Sequence, residues 1–312
     1  MSTRYHVAID ARDGLVAAIG GCRVLVNAAS YRLNLTAMEA ALGAGCDYLD
    51  LGGPYWMTAE QLKLDGRFRH AGRLGVLGIG ASPGKTNLMA LAGVRELDGE
   101  AAREIHVAAA GRDPEPSDGL RAPYALQTLL DQLTMAPVVL EDGAPVELAP
   151  MAAGGVVRFP EPIGGVQTIH TLHSELQTFG PSFGTRRASF RLSLAPELLE
   201  RLHALRGAAQ DEVAAAAAAS VPPSRRAIAA HVVEVRSADR AVRVSALTRP
   251  SEAWGLGGGV VSTAAPAAAV VRLLASDRIA ATGVHPPDTR VEPDDLFPEL
   301  ERRGCSFDLA AA

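Results

Sequence analysis

RVLVNAA, residues Arg23–Ala29, reads as a buried parallel strand, because its apolar run is continuous and it closes on small residues. An amphipathic helix is predicted next, over Asn34–Ala44, where Leu35, Met38 and Leu42 share one face. Gly45 ends it as a left-handed cap. Tyr48–Leu51 is a second strand running into Gly52-Gly53. GVLGIGASPG (Gly75–Gly84) gives a third strand feeding a helix. Strand, helix and strand in alternation is the grammar of a doubly wound nucleotide-binding sheet. Upstream of Arg23, Val7–Asp10 reads as a short strand and Gly14–Ile19 as a short helix. No G-x-G-x-x-G fingerprint precedes them.

Helical spacing continues over Met57–Ala71, and Leu74–Ile79 completes the third strand. After about Gly93 the texture changes. Strands are expected at Glu104–Ala110, Val138–Leu140, Pro145–Leu148, Gly155–Phe159, Val166–Leu172, Ala188–Leu194, Ala227–Val235 and Ala241–Thr248, with few helices between them, the clearest at Pro196–Leu205. The fold class is therefore α/β: an incomplete Rossmann-like parallel sheet plus a second α+β domain with a largely antiparallel sheet. The six alanines of the low-complexity stretch Gln210–Arg225 allow one helical turn or two, but its Pro222-Pro223 end reads as a surface excursion. WGLGGG (Trp254–Gly259) is a glycine turn before a helix over Pro266–Ala275. A last helix covers Pro293–Arg303, with an edge strand at Cys305–Leu309. The expected division is 1–93, 94–253 and 254–312, the last returning to the first.

Composition bounds the function. With 30 Lys and Arg against 35 Asp and Glu, the net charge of −5 offers no basic face for nucleic acid. No apolar run reaches the ~20 residues of a membrane span, and MSTRYHVAID has no signal core. The three cysteines, Cys22, Cys46 and Cys305, form no C-x-x-C pair. A cytoplasmic enzyme with a small-molecule partner is the expectation, with neither membrane nor nucleic acid involved.

GIGASPGKT (Gly78–Thr86) comes near the P-loop G-x-x-x-x-G-K-[ST], but counting back from Gly84 the first glycine falls on Ile79. The same turn reads locally as a capped helix start. Ser82 would cap it, Pro83 would fill its first position, and the N–H groups of Gly84 and Lys85 would point outward. With the charge of Lys85 and the hydroxyl of Thr86, this is either a carboxylate or phosphate site or simply a well-capped helix. Asn27, Ala28 and Ala29 end the first strand with little bulk, which either admits a cofactor ring or merely suits a turn. Asp10 either meets the adenine or ribose edge of such a cofactor or caps the helix near Asp13. Tyr31 and Tyr55 follow two strand ends and should share the ligand rim, unless they are core. His170 and His173 (IHTLH) have an H-x-x-H spacing, but on a strand those positions face opposite sides, so no metal site is expected.

In their order along the chain, these pieces resemble the saccharopine dehydrogenase-like oxidoreductases. The resemblance rests on NAASYRLNLTAMEAALGAGCDYLDLGG (Asn27–Gly53), LGIGASPGKTNLMA (Leu77–Ala90), VVRFPEPIGG (Val156–Gly165) and EAWGLGGGVVSTAAPAAAVVRLLASDRI (Glu252–Ile279). It implies NAD or NADP as cofactor, chemistry at the C–N bond of an amino-acid-derived substrate, and a homodimer built on the second domain. Tyr31 matches a tyrosine the family uses, which makes it the catalytic candidate. Tyr55, Ser82, Gly84, Lys85 and Thr86 are the substrate-binding candidates; Asp10, Asn27, Ala28 and Ala29 are the cofactor-binding ones. Three departures stand out. The family's opening strand, glycine loop and helix, roughly 40 to 60 residues, are not in this sequence, so the chain as it stands is expected to bind nicotinamide weakly or not at all. Ser82 stands where the family's G-x-D-P-G turn has Asp. Ala109-Ala110-Gly111 stands where it has Cys before glycines. Serine is no carboxylate base and alanine has no proton to give. The alternative reading is a cofactor-free relative, acting as a binding or scaffold protein or as an enzyme of another reaction class.

Overall fold

A computed structural model describes residues 12–115, 120–205 and 207–312. Asp10 and the strand expected at Val7–Asp10 lie outside the described residues. The chain begins with α1 (Arg12–Ile19), β1 (Val24–Asn27), α2 (Asn34–Ala44), β2 (Asp47–Asp50), α3 (Tyr55–Leu62), α4 (Asp65–His70), β3 (Leu74–Val76) and α5 (Lys85–Arg95). β4 (Glu104–Arg112), α6 (Leu126–Thr134), β5 (Val138–Glu141), β6 (Ala144–Glu147), β7 (Ala153–Arg158), β8 (Gly165–His170), α7 (Glu175–Phe183) and β9 (Arg187–Leu192) follow. The chain then runs through α8 (Pro196–Leu205), α9 (Gln210–Ala218), β10 (Ile228–Arg236), β11 (Ala241–Thr248), α10 (Gly258–Ala275), β12 (Gly283–His285), α11 (Pro293–Glu301) and β13 (Cys305–Ala311).

β1, β2, β3 and β12 form a four-stranded sheet in that order, with every pairing parallel. The second sheet has nine strands, in the order β13-β11-β10-β4-β9-β5-β6, with the β7–β8 hairpin branching from β9. Its pairings are antiparallel apart from β4 with β9. The fold is therefore α/β with a Rossmann-like parallel sheet and a second, largely antiparallel one. The C-terminal segment serves both: β12 completes the parallel sheet and β13 edges the other.

Tertiary contacts redraw several expected elements. The helix expected over Met57–Ala71 breaks in two, because Asp65 accepts the Val284 N–H (2.9 Å) and ties α4 to β12. Gln210–Ala218 is helical, with the Glu212 carboxylate accepting the Ala209 N–H at 3.1 Å. α10 begins at Gly258, eight residues before Pro266. A Cβ on Gly258 would stand 2.3 Å from the Thr248 carbonyl, so glycine lets the helix start against β11. By length and composition α10 is apolar enough to cross a membrane, yet 56% of it is buried inside the protein, where it packs on β10, β11 and α11. α6, α7 and β12 have no counterpart among the expected elements. The main core lies between α5, α10 and α11 and the large sheet, with Leu88, Met89, Val233, Val235, Val244, Val270 and Leu296 all buried.

A chain of buried polar side chains pins the carboxyl ends of the parallel strands. Asn27 donates to Asn34 (2.8 Å), Asn34 to Gln61 (3.3 Å), and Gln61 to the Asp50 carboxylate (2.6 Å). Asp50 also accepts the N–H groups of Gly52 (2.8 Å) and Gly78 (2.6 Å). Burial pushes its carboxyl above the ordinary range, more than these bonds hold it down. On this frame the Pro83 ring packs against Gly52 and Gly78; a Cβ on either would lie 2.4 or 2.5 Å from it. Both glycines also have positive φ.

Candidate active site at the carboxyl ends of the parallel strands

Three turns meet at this rim. Tyr31 opens a one-turn helix after β1, Tyr55 opens α3 after β2, and Ser82 lies in the turn after β3. Gly53 abuts Tyr31 and Gly52 abuts Pro83, so the first and third turns flank the glycine pair. Ligands bind at such strand ends in open α/β sheets. Tyr31 is 9% exposed, and its hydroxyl donates to Asp131 of α6 at 2.8 Å. Arg32 grips the same carboxylate with bonds of 2.9 and 2.8 Å. Burial and Asp131 outweigh Arg32 and hold the Tyr31 phenol above its ordinary value. Tyr55 is core: its ring is buried and meets Trp56 edge-on at 4.7 Å. Asn27 is spent on Asn34 and on the Ala29 N–H, while Ala28 and Ala29 are exposed.

The anion cradle expected at the start of α5 is not formed. The Gly84 N–H goes to Asn87 Oδ1 (2.9 Å), that of Lys85 to Gly80 (2.9 Å) and that of Thr86 to Ala81 (3.3 Å), so the turn consumes its own donors. Gly84 has φ of 116°, and a Cβ there would lie 2.5 Å from Gly80 backbone. Lys85 points away from the rim into the protein. It is 1% exposed, and its ammonium donates to Ser262 (2.7 Å) and Thr248 (3.2 Å), with Cys305 Sγ at 4.0 Å. Burial lowers its pKa. Ser82 does not cap the helix either.

Its hydroxyl donates instead to Glu175 Oε1 at 2.5 Å, and Thr86 donates to the same oxygen at 2.7 Å. The other carboxylate oxygen bonds His173 Nδ1. Glu175, in the first turn of α7, is 1% exposed. Burial alone would raise its pKa; the electrostatic pull and hydrogen bond of His173, with the two hydroxyls, outweigh burial and hold the carboxyl below its ordinary range. His173 stacks on Phe190 with ring centroids 3.7 Å apart. It lies beyond the end of β8, so it and His170 do not share a strand. Beside this group, Asn87 donates to Asp288 at 2.7 Å. Glu175 and Asp288 carry no motif spacing; an acid after a strand reads as solvated surface, and only the packing of α7 against α3 and of the Pro287–Thr289 turn against α5 brings them here. His173 was visible in the sequence, but only as half of a metal spacing.

Residues 2–76 match the family model described as the saccharopine dehydrogenase NADP binding domain. The whole chain superposes on apo saccharopine dehydrogenase (L-Glu forming) from Saccharomyces cerevisiae with a TM-score of 0.70 at 12% identity, covering 98% of this chain and 88% of that one. Over residues 2–76 the chain is similar to that NADP binding domain, and over its length it shares the fold of the yeast enzyme. A protein of gentamicin A biosynthesis solved with NAD aligns over 99% of this chain and 83% of its own at 13% identity, with a TM-score of 0.37. An oxidoreductase from Sinorhizobium meliloti aligns over 96% and 82% at 11% identity, with a TM-score of 0.36. These two share too little shape to inform the site. In this chain, position 82 of the rim turn is serine, and a carboxylate reaches it from α7.

Proposed function

We propose that the protein is an NAD(P)-dependent oxidoreductase acting at the C–N bond of an amino-acid-derived substrate. The observation that carries the reading is the carboxylate of Glu175, buried behind Ser82 at the strand-end rim and hydrogen-bonded to its hydroxyl. Half-buried Ser82 joins the rim to that carboxylate. A proton leaving a substrate nitrogen is accepted by Ser82 Oγ as the Ser82 proton passes to Glu175 Oε1. His173 and Thr86 hold the carboxylate in place and keep it ionised until then. Tyr31, fixed by Asp131 and Arg32, borders the same rim and orients the substrate.

The small exposed side chains of Ala28 and Ala29 leave the end of β1 open to a flat ring, which fits a nicotinamide there. When bound, that ring supplies hydride transfer. The match to an NADP binding domain and the likeness to a saccharopine dehydrogenase fold support this reading. The test is oxidation or reduction of NADPH and NADH by the purified protein across a panel of amino acids paired with 2-oxo acids, followed by nicotinamide fluorescence. Turnover with one pair, lost in Glu175→Gln, supports it; failure of either cofactor to bind or turn over favours the cofactor-free relative.

A further inference from the structure

α10 packs on α11, and where α10 ends a groove of about 410 Å³ opens, lined by Arg272, Leu273, Ala275, Ser276, Arg278 and Glu299. That volume falls in the range of small-molecule sites and leaves room for an organic body beside a charged group. The groove is separate from the strand-end rim. α10 meets the rim turn near its start, where a Cβ on Gly80 would lie 3.7 Å from the Thr263 methyl. From Thr263 to Arg272 the helix rises ~14 Å. A helix C-terminus ordinarily repels anions, because its last carbonyls point outward unpaired. Here they are spent. The Arg272 carbonyl accepts both the N–H and the hydroxyl of Ser276 at 3.0 Å, the Leu273 carbonyl accepts the Arg278 N–H (2.9 Å), and the Leu274 carbonyl accepts the Asp277 N–H (3.2 Å).

The groove gathers more positive charge than its acids neutralise. Glu299 faces three arginines: Arg303 bonds it at 2.7 Å, Arg302 takes its other oxygen, and Arg272 Nε stands 3.7 Å away. At that distance Arg272 is not hydrogen-bonded, so its fork is unspent. Asp295 is taken by Arg278, and Asp277 by Arg23 at 2.6 Å. Asp294 and Glu301 are exposed, and at the helical pitch they stand about 140° and about 160° round α11 from Glu299. Five arginines thus meet three carboxylates, a surplus of two positive charges in a chain whose net charge is −5. A carboxylate ligand would cancel half of that surplus. A phosphoryl group carries close to two negative charges at neutral pH and accepts arginine forks through paired N–H···O bonds.

We propose that this groove binds a small phosphate monoester, its phosphoryl group between Arg272 and Arg278 and its organic body against Leu273 and Ala275. The site does not depend on the oxidoreductase reading and needs no cofactor. The test is titration calorimetry on the whole protein at low salt with phenyl phosphate, using inorganic phosphate and benzoate as controls. Phenyl phosphate should bind at one site per chain. It should bind about tenfold more tightly than inorganic phosphate, which has no apolar body, and more tightly than benzoate, which has one charge. Arg272→Gln and Arg278→Gln should each weaken it about tenfold. Arg187→Gln removes the same charge from β9 and should leave binding unchanged. The three side chains are at least 60% exposed, so these variants keep the fold. No saturable binding, equal affinity for either control, full affinity in either groove variant, or an equal loss in Arg187→Gln overturns the proposal.

Discussion

The hydroxyl of Ser82 lies 2.5 Å from the carboxylate of Glu175, joining the turn after β3 to the first turn of α7 across 93 residues of sequence. If the pair moves one proton, its two members are not independent. Ser82→Ala and Glu175→Gln should each lower kcat by about 10²-fold, and the double variant should be little worse than either. Steady-state kinetics of the three variants check this; multiplicative losses would separate the two residues.

Acid should expose the buried carboxylate. The folded pKa of Glu175 lies below its ordinary 4.5, so its stabilising contribution is fully present above about pH 4.5 and is lost as the pH falls toward the folded value. Urea unfolding of the wild type and Glu175→Gln should therefore show a stability gap that narrows below that pH. A gap unchanged to lower pH would mean that the carboxylate is not held ionised.

His231 works over a higher window. It is 5% exposed, and burial, with Lys85 and His173 adding to it, drives its pKa well below 6.5. Between the folded value and 6.5 the unfolded chain binds the extra proton, so stability falls as the pH drops through that window. His106, His170 and His285 are shifted the same way. The contribution of His231 is isolated by comparing wild type and His231→Phe at about pH 5.5 and about pH 7.5. The variant should lose less stability between the two.

Lys85 should matter to the core and not to anionic ligands. Lys85→Glu places an unpaired negative charge among Thr248, Ser262 and Cys305, and should lower stability by at least about 3 kcal/mol. Lys85→Met leaves two hydroxyls without their donor, at about 1 to 3 kcal/mol. Thermal unfolding measures both. A well-folded Lys85→Glu protein with weakened substrate binding would put the side chain back at the rim.

Tyr31→Phe removes one bond to Asp131 but leaves the two from Arg32. Stability should fall by about 1 kcal/mol. If Tyr31 orients substrate, KM should rise with kcat little changed. A fall in kcat alone would assign the phenol to proton transfer instead.

The sequence by itself determined the parallel strand ends, because βαβ spacing, glycine stops and continuous apolar runs are local properties of the chain. It located Tyr31, Tyr55 and Ser82 after successive strands for the same reason. It left the helix start at Lys85 open between an anion site and a capped helix, since a turn motif does not say where its side chains point. Packing decided that: the hydrophobic cover of α5, α10 and β11 closes over Lys85, and the turn bonds its own N–H groups. Tertiary structure alone also supplied Glu175 and Asp288. A carboxylate becomes a buried, hydrogen-bonded group only when distant segments exclude water from it, and no local pattern of residues records that exclusion.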